Sequence, residues 1–330
     1  MFKNGEYVTI EQIELNGYRI GIPIPFPMKF IYCYLFKHDS HYVLIDVGYN
    51  NKRSRAAWEE AFQELNIHPN EIKTIYLTHF HPDHAGLGSW MQQLTGAQLY
   101  MHEIDAQMMQ HVWGNESRQA ENIKEMVLEH GTPLVLADEI ERQMELMIDH
   151  IRPLPSISII AKQVEFARKD WQVIHTPGHS TGHICFYQEE EQVLISGDHI
   201  LDKITPNISV WPGASQTPLH DYINSLHKIR KLPVKTALTA HGIPVDHVNE
   251  RIDQLLDHHE MRLAAMEELA HGCTAFEIAE ASFAHKELTP HQWRFAIAET
   301  IAHLDYLFIE NRINKVIGSP IKYQKLNGRH

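Results

Sequence analysis

The sequence predicts an α+β fold, an αββα sandwich that carries a helical insertion and a helical C-terminal domain. Two segments, residues 1–102 and 164–242, alternate short apolar runs with helical periodicity, which is typical of the two halves of a layered sandwich. A helix-rich segment, residues 103–162, separates the halves, and long helices begin at about residue 248. We therefore predict one domain over residues 1–250, with the insertion at 103–162, and a second domain over residues 251–330.

Apolar runs set the predicted strands, and apolar spacings of three and four set the predicted helices. In the first half the predicted strands are Tyr7–Ile13, Phe30–Phe36, Tyr42–Asp46, Thr74–Leu77 and Gln98–Met101, with helices at Arg53–Leu65 and Ala85–Leu94. In the second half the predicted strands are Val164–Ala167, Gln172–His175, His183–Tyr187, Gln192–Ile195 and Thr236–Thr239, with a helix at Leu219–Lys231.

The insertion is open to two interpretations. Its predicted helices, Ser117–Glu129 and Asp138–Ile148, are accompanied by a cluster of methionines, namely Met101, Met108, Met109, Met126, Met144 and Met147. Because methionine adapts to irregular apolar ligands, the segment can be a mobile lid over an apolar substrate pocket. Ordinary helix packing explains the same pattern equally well. Residues 156–160 are predicted to be the loop that returns to the second half.

The C-terminal segment predicts three helices and a hairpin. The first helix is Arg251–Leu269, and the second is Ala275–Phe283 with Thr274 as N-cap and Glu277 in a capping box. The third begins at Pro290 and runs towards residue 311, followed by a hairpin of residues 313–317 and 321–323. Three helices and a hairpin suggest a winged-helix-like domain.

One short motif carries most of the chemical information. The stretch from Thr78 to Gly86 reads Thr-His-Phe-His-Pro-Asp-His-Ala-Gly and follows an apolar run. Imidazole nitrogens and carboxylate oxygens are the ligands that borderline divalent metals such as zinc prefer. At the end of a strand His79 and His81 would point the same way, because side-chain direction repeats every two residues. Asp83 and His84 can then reach a second metal.

Three further donors follow in separate short motifs. His179 lies in a Pro-Gly-His turn, Asp198 ends a buried apolar run in Ser-Gly-Asp, and His241 stands in Ala-His-Gly after another apolar run. An acid placed directly after a buried strand needs a partner, and a metal ion would serve. Each of these is a weak signal alone, since such dipeptides are usually turns. In this order after the first motif, they together predict a metal centre.

These motifs resemble those of the metallo-β-lactamase-fold hydrolase superfamily, over about residues 5–250. The resemblance implies two divalent metal ions, with zinc as the first expectation and manganese or iron as alternatives. It places one ion on His79, His81 and His179 and the other on Asp83, His84 and His241. It further implies that Asp198 bridges the two ions and that Asp46, in Leu-Ile-Asp-Val-Gly, orients a ligand from behind.

The resemblance implies a hydrolase that uses a metal-bound hydroxide on an ester, thioester or lactone of a small molecule, with Asp83 as the catalytic residue that orients the hydroxide and carries a proton. The cysteine of dedicated β-lactamases at position 198 and the glutamate of flavodiiron proteins at position 81 are both absent. A metal-dependent endoribonuclease or phosphodiesterase is the alternative, because the C-terminal segment is similar to the β-lactamase-like protein 2 group. A mononuclear iron dioxygenase is a weaker alternative.

Composition is that of a globular protein, with 43% hydrophobic and 22% charged residues. A polar beginning and the lack of an apolar run of about 20 residues predict neither a signal peptide nor a membrane partner. Three widely spaced cysteines favour a reducing, cytoplasmic location over a disulfide framework.

The net charge of −13 argues against a broad nucleic-acid surface. A local basic group in the C-terminal segment, formed by Arg312, Lys315, Lys322, Lys325 and Arg329, keeps nucleic-acid contact as an alternative. We expect a small-molecule acyl substrate as the main partner. Homodimer formation and support of the pocket are the other roles open to the C-terminal domain.

Overall fold

The computed structural model describes residues 3–4, 8–283 and 287–326, and its centre is a pair of facing β-sheets. The first sheet has its strands in chain order: β1 Lys3–Asn4, β2 Thr9–Ile13, β3 Gly17–Pro23, β4 Phe30–His38, β5 His41–Ile45, β6 Ile72–Tyr76, β7 Gln98–Met101 and β8 Ile157–Ile159. Neighbours from β1 to β5 are antiparallel, and those from β5 to β8 are parallel.

The second sheet closes the sandwich and has the strand order β13-β12-β11-β10-β9. Its strands are β9 Gln163–Phe166, β10 Lys169–His175, β11 Ile184–Gln188, β12 Val193–Gly197 and β13 Thr236–Thr239. Only the last pair, β12 with β13, is parallel among the pairings of this sheet. Every residue of β11 and β12 is buried, as expected for strands covered on both faces.

Aromatic side chains fill the space between the two sheets. Phe36 from the first sheet lies 5.2 Å from Phe166 and 5.9 Å from Trp171, measured between ring centroids. Tyr76 lies 5.5 Å from Phe186 in the same way. Large aromatic rings bury more apolar area than any other side chains, so this layer is a main source of the stability of the sandwich.

Helices cover the outer faces and form the insertion and the C-terminal domain. They are α1 Lys52–Leu65, α2 Pro82–Ala85, α3 Gly88–Thr95, α4 Glu103–Trp113, α5 Gln119–Glu129, α6 Leu134–Met147, α7 Pro218–Arg230, α8 Val248–Leu269, α9 Ala275–Phe283 and α10 Pro290–Ile309. Two short 3₁₀ helices lie at Pro69–Glu71 and Ile148–His150. No helix in the described ranges combines the length and the apolar character needed to cross a bilayer.

The C-terminal domain packs on the insertion as well as on the sandwich. Helix α10 contacts α5 and α6 of the insertion, and also α7 and α8. The backbone N–H of Ile321 donates to the carbonyl of Glu129, and that of Phe276 donates to the carbonyl of His130. A small sheet of β14 His271–Cys273, β15 Ile313–Val316 and β16 Lys322–Lys325 completes the domain. The predicted hairpin is confirmed as the antiparallel pair β15–β16.

Most predicted elements are confirmed to within a few residues, but the structure differs from the sequence analysis in several places. Strand β3 was not predicted, because two glycines and a proline hide its pattern. The predicted loop at residues 156–160 contains strand β8, which pairs in parallel with β7. The single helix predicted over residues 85–94 is two helices, α2 and α3, with Gly86 between them. Tyr7 of the first predicted strand lies outside the described residues.

We predict that Thr274 stabilises the C-terminal domain through its cap on α9. Its hydroxyl oxygen accepts from the N–H of Glu277 at 3.1 Å, and the carboxylate of Glu277 accepts from the N–H of Thr274 at 2.7 Å. Thr274→Ala should lower the free energy of unfolding by about 1 kcal/mol, measured by urea denaturation. Thr217 precedes α7 but makes no side-chain cap, so Thr217→Ala is the matched control. Equal losses in the two variants would contradict the cap.

Candidate metal centre

The seven predicted donors meet at one edge of the sandwich, where parallel strands of both sheets end. The motif of residues 79–84 follows β6, Asp198 follows β12 and His241 follows β13. Parallel strands place their carboxyl ends at the same edge, so these loops converge. His179 joins them from the loop between β10 and β11. One detail was wrong: β6 ends at Tyr76, so His79 and His81 lie in the loop beyond the strand.

A first group consists of three histidine rings. The Nε2 atom of His79 lies 3.1 Å from Nδ1 of His81, which lies 2.9 Å from Nε2 of His179. These distances are close to the roughly 3–3.5 Å expected between ligands that surround a metal at about 2.0–2.1 Å. The three atoms are within 4.8 Å of one another.

The remaining ring nitrogens fix which atoms carry protons. Nδ1 of His179 donates to the carbonyl oxygen of Asn207 at 2.9 Å, so its Nε2 carries the lone pair. Nδ1 of His79 lies 3.0 Å from the hydroxyl of Thr78, which favours the same tautomer. Lone pairs of different rings therefore face each other, and a cation is the partner that satisfies them.

The second group consists of Asp83, His84 and His241. Nδ1 of His241 donates to the carbonyl oxygen of Phe30 at 2.9 Å, and its Nε2 lies 3.3 Å from a carboxylate oxygen of Asp83. Nε2 of His84 lies 3.9 Å from the same carboxylate. Both Nε2 atoms are buried without a hydrogen-bond partner in the described structure. Buried polar atoms without partners are costly, and a metal ion in this position would satisfy them.

Asp198 lies between the two groups and turns one oxygen to each. Its Oδ2 is 3.4 Å from Nε2 of His179, while its Oδ1 is 3.3 Å from Nε2 of His84 and 3.5 Å from Nε2 of His241. Oδ1 is buried and has no hydrogen-bond partner of suitable geometry among the described residues. This arrangement fits a carboxylate that serves both groups.

Asp46 lies behind the centre and contacts both His84 and the backbone of Thr78. Its Oδ2 accepts from Nδ1 of His84 at 2.8 Å, and its Oδ1 accepts from the backbone N–H of Thr78 at 2.8 Å. Asp46 has a φ of 59°, in the left-handed region that costs free energy for a residue other than glycine. The two hydrogen bonds hold it there and fix the His84 ring, which leaves Nε2 free to face the centre.

The two groups of the centre differ in protonation. Burial and the neighbouring rings hold the pKa of His79 well below its usual value and lower the pKa of His81 to about 3. Burial alone would raise the pKa of Asp83, but His84 and His241 outweigh it and lower the pKa to about 2. Burial lowers the pKa of His179 as well, so the first group consists of neutral imidazoles, the form that binds metals. In the second group burial alone would lower the pKa values of His84 and His241, but Asp198 and Asp83 outweigh it and raise them, so a metal ion bound there would displace protons.

Three residues that the sequence analysis did not single out complete the site. His183 is fully buried, and its Nε2 accepts from the backbone N–H of Asp198 at 3.2 Å. Asn207 orients His179 as described above. Asp105, in the first turn of α4, accepts hydrogen bonds from the N–H of Phe80, the hydroxyl of Ser180 and the N–H of Gly182. Only the Gly-His pair at 182–183 offered a signal in the sequence, and it was too general to use.

A glycine is required beside His179 because a helix approaches closely. Gly178 has a φ of 143°, and a Cβ atom there would lie 2.5 Å from Cβ and 2.6 Å from Cα of Tyr222. Tyr222 belongs to α7 and is fully buried. The Pro-Gly-His turn can therefore pass over the helix and reach the centre only without a side chain at position 178.

The centre opens into a cavity of about 560 Å³ with a mainly apolar lining. His81, Asp83, His179 and Asp198 form part of its wall. The insertion supplies Met108, Val112, Trp113, Ile123, Met144 and Met147, and the C-terminal domain supplies His291, Gln292, Arg294 and Phe295. Three of the six clustered methionines thus line the cavity, whereas Met101 and Met109 are core residues with no exposure.

We predict that Asp105 holds together the two loops that carry His81 and His179. In Asp105→Asn one oxygen becomes an amide that cannot accept, so a buried donor loses its partner. The free energy of unfolding should fall by roughly 1–3 kcal/mol in urea denaturation at fixed metal concentration. Asp253→Asn removes a partner of Arg230 at a far more exposed position and should cost less than about 1 kcal/mol. Similar losses would contradict the role of Asp105.

Comparisons with known proteins agree with this architecture. A probable metallo-hydrolase, YqjP of Bacillus subtilis (strain 168), is 26% identical over 89% of this chain and 92% of its own length. The atrochrysone carboxyl ACP thioesterase of Aspergillus fumigatus is 25% identical over 69% of this chain, which spans 56% of that enzyme. The β-lactamase-like protein 2 homologue of Caenorhabditis elegans is 25% identical over 73% of this chain and 65% of its own length.

Solved structures extend the likeness to nearly the whole chain. A metallo-β-lactamase family protein from Thermus thermophilus is 33% identical, with a TM-score of 0.85 over 94% of this chain and 99% of that one. A β-lactamase domain protein from Burkholderia ambifaria is 25% identical, with a TM-score of 0.86 over 98% of this chain and 96% of that one. The metallo-β-lactamase superfamily matches residues 28–241, and the metallo-β-lactamase-like C-terminal domain matches residues 263–326. The chain therefore belongs to the metallo-β-lactamase superfamily, which confirms the prediction of a metal-dependent hydrolase.

Proposed function

We propose that this protein is a dinuclear metallohydrolase that cleaves an ester, thioester or lactone bond of a small acyl substrate. The proposal rests on one observation. Two donor groups with Asp198 between them lie at the wall of an apolar cavity of about 560 Å³. This volume lies within the usual range of small-molecule sites. The 25% identity to an acyl carrier protein thioesterase supports the thioester as the first substrate class to test.

In this proposal His79, His81 and His179 hold one metal, and Asp83, His84 and His241 hold the other, with Asp198 between them. The set of nitrogen and carboxylate donors fits zinc, with manganese or iron as alternatives. Bound divalent metals supply a Lewis acid and lower the pKa of water at that position. Hydrogen bonds to Asp46, Phe30 and Asn207 hold the Nδ1 atoms of His84, His241 and His179, so the Nε2 atom of each ring points towards these positions.

Residues of the chain orient the water, bind the substrate and position the metal ligands. Asp83 lines the cavity and is charged at neutral pH. It can therefore orient a nucleophilic water, accept a proton from that water and pass this proton to the leaving atom. The apolar side chains of the insertion bind the acyl part and exclude bulk water. Asp198 sets the spacing of the two metal positions, and His183 holds its backbone in place.

We also propose that residues 1–250 form the catalytic domain and that the winged-helix-like residues 251–330 support its pocket. Two hydrogen bonds that link the C-terminal domain to the centre support this role. The side chain of Asn207 donates to Glu299 of α10 at 3.0 Å, and the carbonyl oxygen of Asn207 accepts from His179 and orients its ring. Arg251 of α8 donates to the carbonyls of Leu201 and Ile204 in the same loop. The C-terminal domain therefore shapes the loop whose Asn207 orients His179, a donor of the first group.

The ribonuclease alternative has less support than the acyl hydrolase, because most of the predicted basic group is already paired with acidic residues. Of the predicted basic group, Arg312 pairs with Glu260 and Glu267, Lys315 pairs with Asp305, and Lys325 pairs with Glu268. Arg329 lies outside the described residues. Lys322 is exposed and has no acid within ion-pair distance among the described residues. Lysines and arginines already paired with acids contribute little to phosphate binding, so the described members of the group offer one unpaired lysine, which makes a poor nucleic-acid surface.

The test is an assay of the zinc-loaded protein against short-chain acyl thioesters, lactones and a single-stranded RNA. We expect thiol release from thioesters that stops with a chelator and returns with zinc, while the RNA stays intact. Asp83→Asn should lower kcat by about 10²–10⁴-fold. Asp253→Asn, on the surface of α8, is the control and should keep wild-type activity. Cleavage of RNA without hydrolysis of any acyl substrate would overturn the proposal.

A further inference from the structure

The cavity wall contains a buried arginine. Arg294 lies in the first turns of α10, is 6% exposed and lines the cavity together with Trp211, Phe295 and Met144. Its guanidinium carbon lies 4.4 Å from the ring centroid of Phe295 and 5.2 Å from that of Trp211. The two rings hold the guanidinium group through cation–π contacts, which offset part of the cost of its burial.

No carboxylate pairs with Arg294 in the described part of the chain. Its Nη1 contacts the sulfur of Met144, and its Nε is buried without a hydrogen-bond partner. Arg312 of the same domain, in contrast, pairs with both Glu260 and Glu267. Burial lowers the pKa of Arg294 only to about 10, so the group is charged at neutral pH. A buried charge without a counter-ion is costly and calls for an anionic partner.

We propose that Arg294 binds a carboxylate group of the acyl substrate, separate from the bond that is cleaved; this inference rests on the proposed function. The guanidinium group presents a planar set of donors that suits a carboxylate. The cavity is continuous from Arg294 to Asp83 and Asp198, so one molecule can contact both ends. The predicted substrate class is therefore an apolar acyl chain that carries a carboxylate.

The charge of the cavity favours a singly charged group over a phosphate dianion. Among the described lining residues Arg294 is the sole arginine, and there is no lysine. His291 stacks on Phe26, and burial together with Arg294 lowers its pKa to about 4, so it adds no second positive charge at neutral pH. One fixed positive charge balances one carboxylate, whereas a dianion would keep an unbalanced negative charge in an apolar wall.

The experiment compares two N-acetylcysteamine thioesters of equal chain length on the zinc-loaded full chain. Adipoyl thioester carries a terminal carboxylate, and hexanoyl thioester does not. The wild-type kcat/KM should favour the adipoyl substrate, and Arg294→Met should lower the adipoyl-to-hexanoyl ratio by about 10–100-fold. The adipoyl-to-hexanoyl ratio of Arg294→Lys should lie between those of wild type and Arg294→Met. Arg312→Met should keep the wild-type ratio. An unchanged ratio in Arg294→Met would overturn the inference, because a packing role would lower both rates alike.

A binding measurement separates this inference from the proposed function. The ratio of adipate to hexanoate affinity for the zinc-loaded protein, measured by calorimetry, should fall at least about tenfold in Arg294→Met and stay unchanged in Arg312→Met. Both acids offer one carboxylate to the metals, and only adipate has a second one for Arg294. A lower ratio in Arg294→Met without turnover of either thioester would support the carboxylate site and reject the proposed reaction. An unchanged ratio in Arg294→Met would reject the carboxylate site even if both thioesters are hydrolysed.

Discussion

The structure depends on one constraint, which is the close approach of seven donor groups, four buried and three half-buried, at one edge of the sandwich. Two carbonyls and a carboxylate behind three of the rings accept from Nδ1, so the Nε2 atom of each of these rings faces the centre. Lone pairs face one another in the first group, and the carboxylates of Asp83 and Asp198 lie within 4 Å of the rings of the second group. Such an arrangement is unfavourable without a cation. It persists because both sheets direct the carboxyl ends of parallel strands to the same edge and because Asp46 is held in a left-handed conformation.

The insertion and the C-terminal domain enclose the cavity into which this centre opens. Helices α4 to α6 supply the apolar wall, and α10 packs against α5 and α6 while it supplies Arg294 and Phe295. The same helix contacts Asn207, which orients His179. Helix α10 thus contacts both the pocket and a residue that orients the metal centre. These contacts support the proposed role of the C-terminal domain in shaping the pocket.

The sequence predicts the donors better than it predicts the residues that position them. All seven donors and Asp46 stand in short motifs after apolar strands, and the structure brings every one of them together. Asp105, His183 and Asn207 act through partners far away in the chain: Asp105 and Gly182 are 77 residues apart. No local pattern signals such a pair. Strand β8 was missed for a related reason, since its three residues form a strand only by pairing with β7.

The most direct test of the central claim is the anomalous diffraction of zinc in crystals of the zinc-loaded protein. We expect two zinc peaks about 3.5–4 Å apart at the edge of the sandwich. One should lie about 2.0–2.1 Å from ring nitrogens of His79, His81 and His179, and the other at the same distance from those of His84 and His241. Asp198 should bind both. A single peak, or two peaks of which Asp198 binds only one, would contradict a dinuclear centre joined by Asp198.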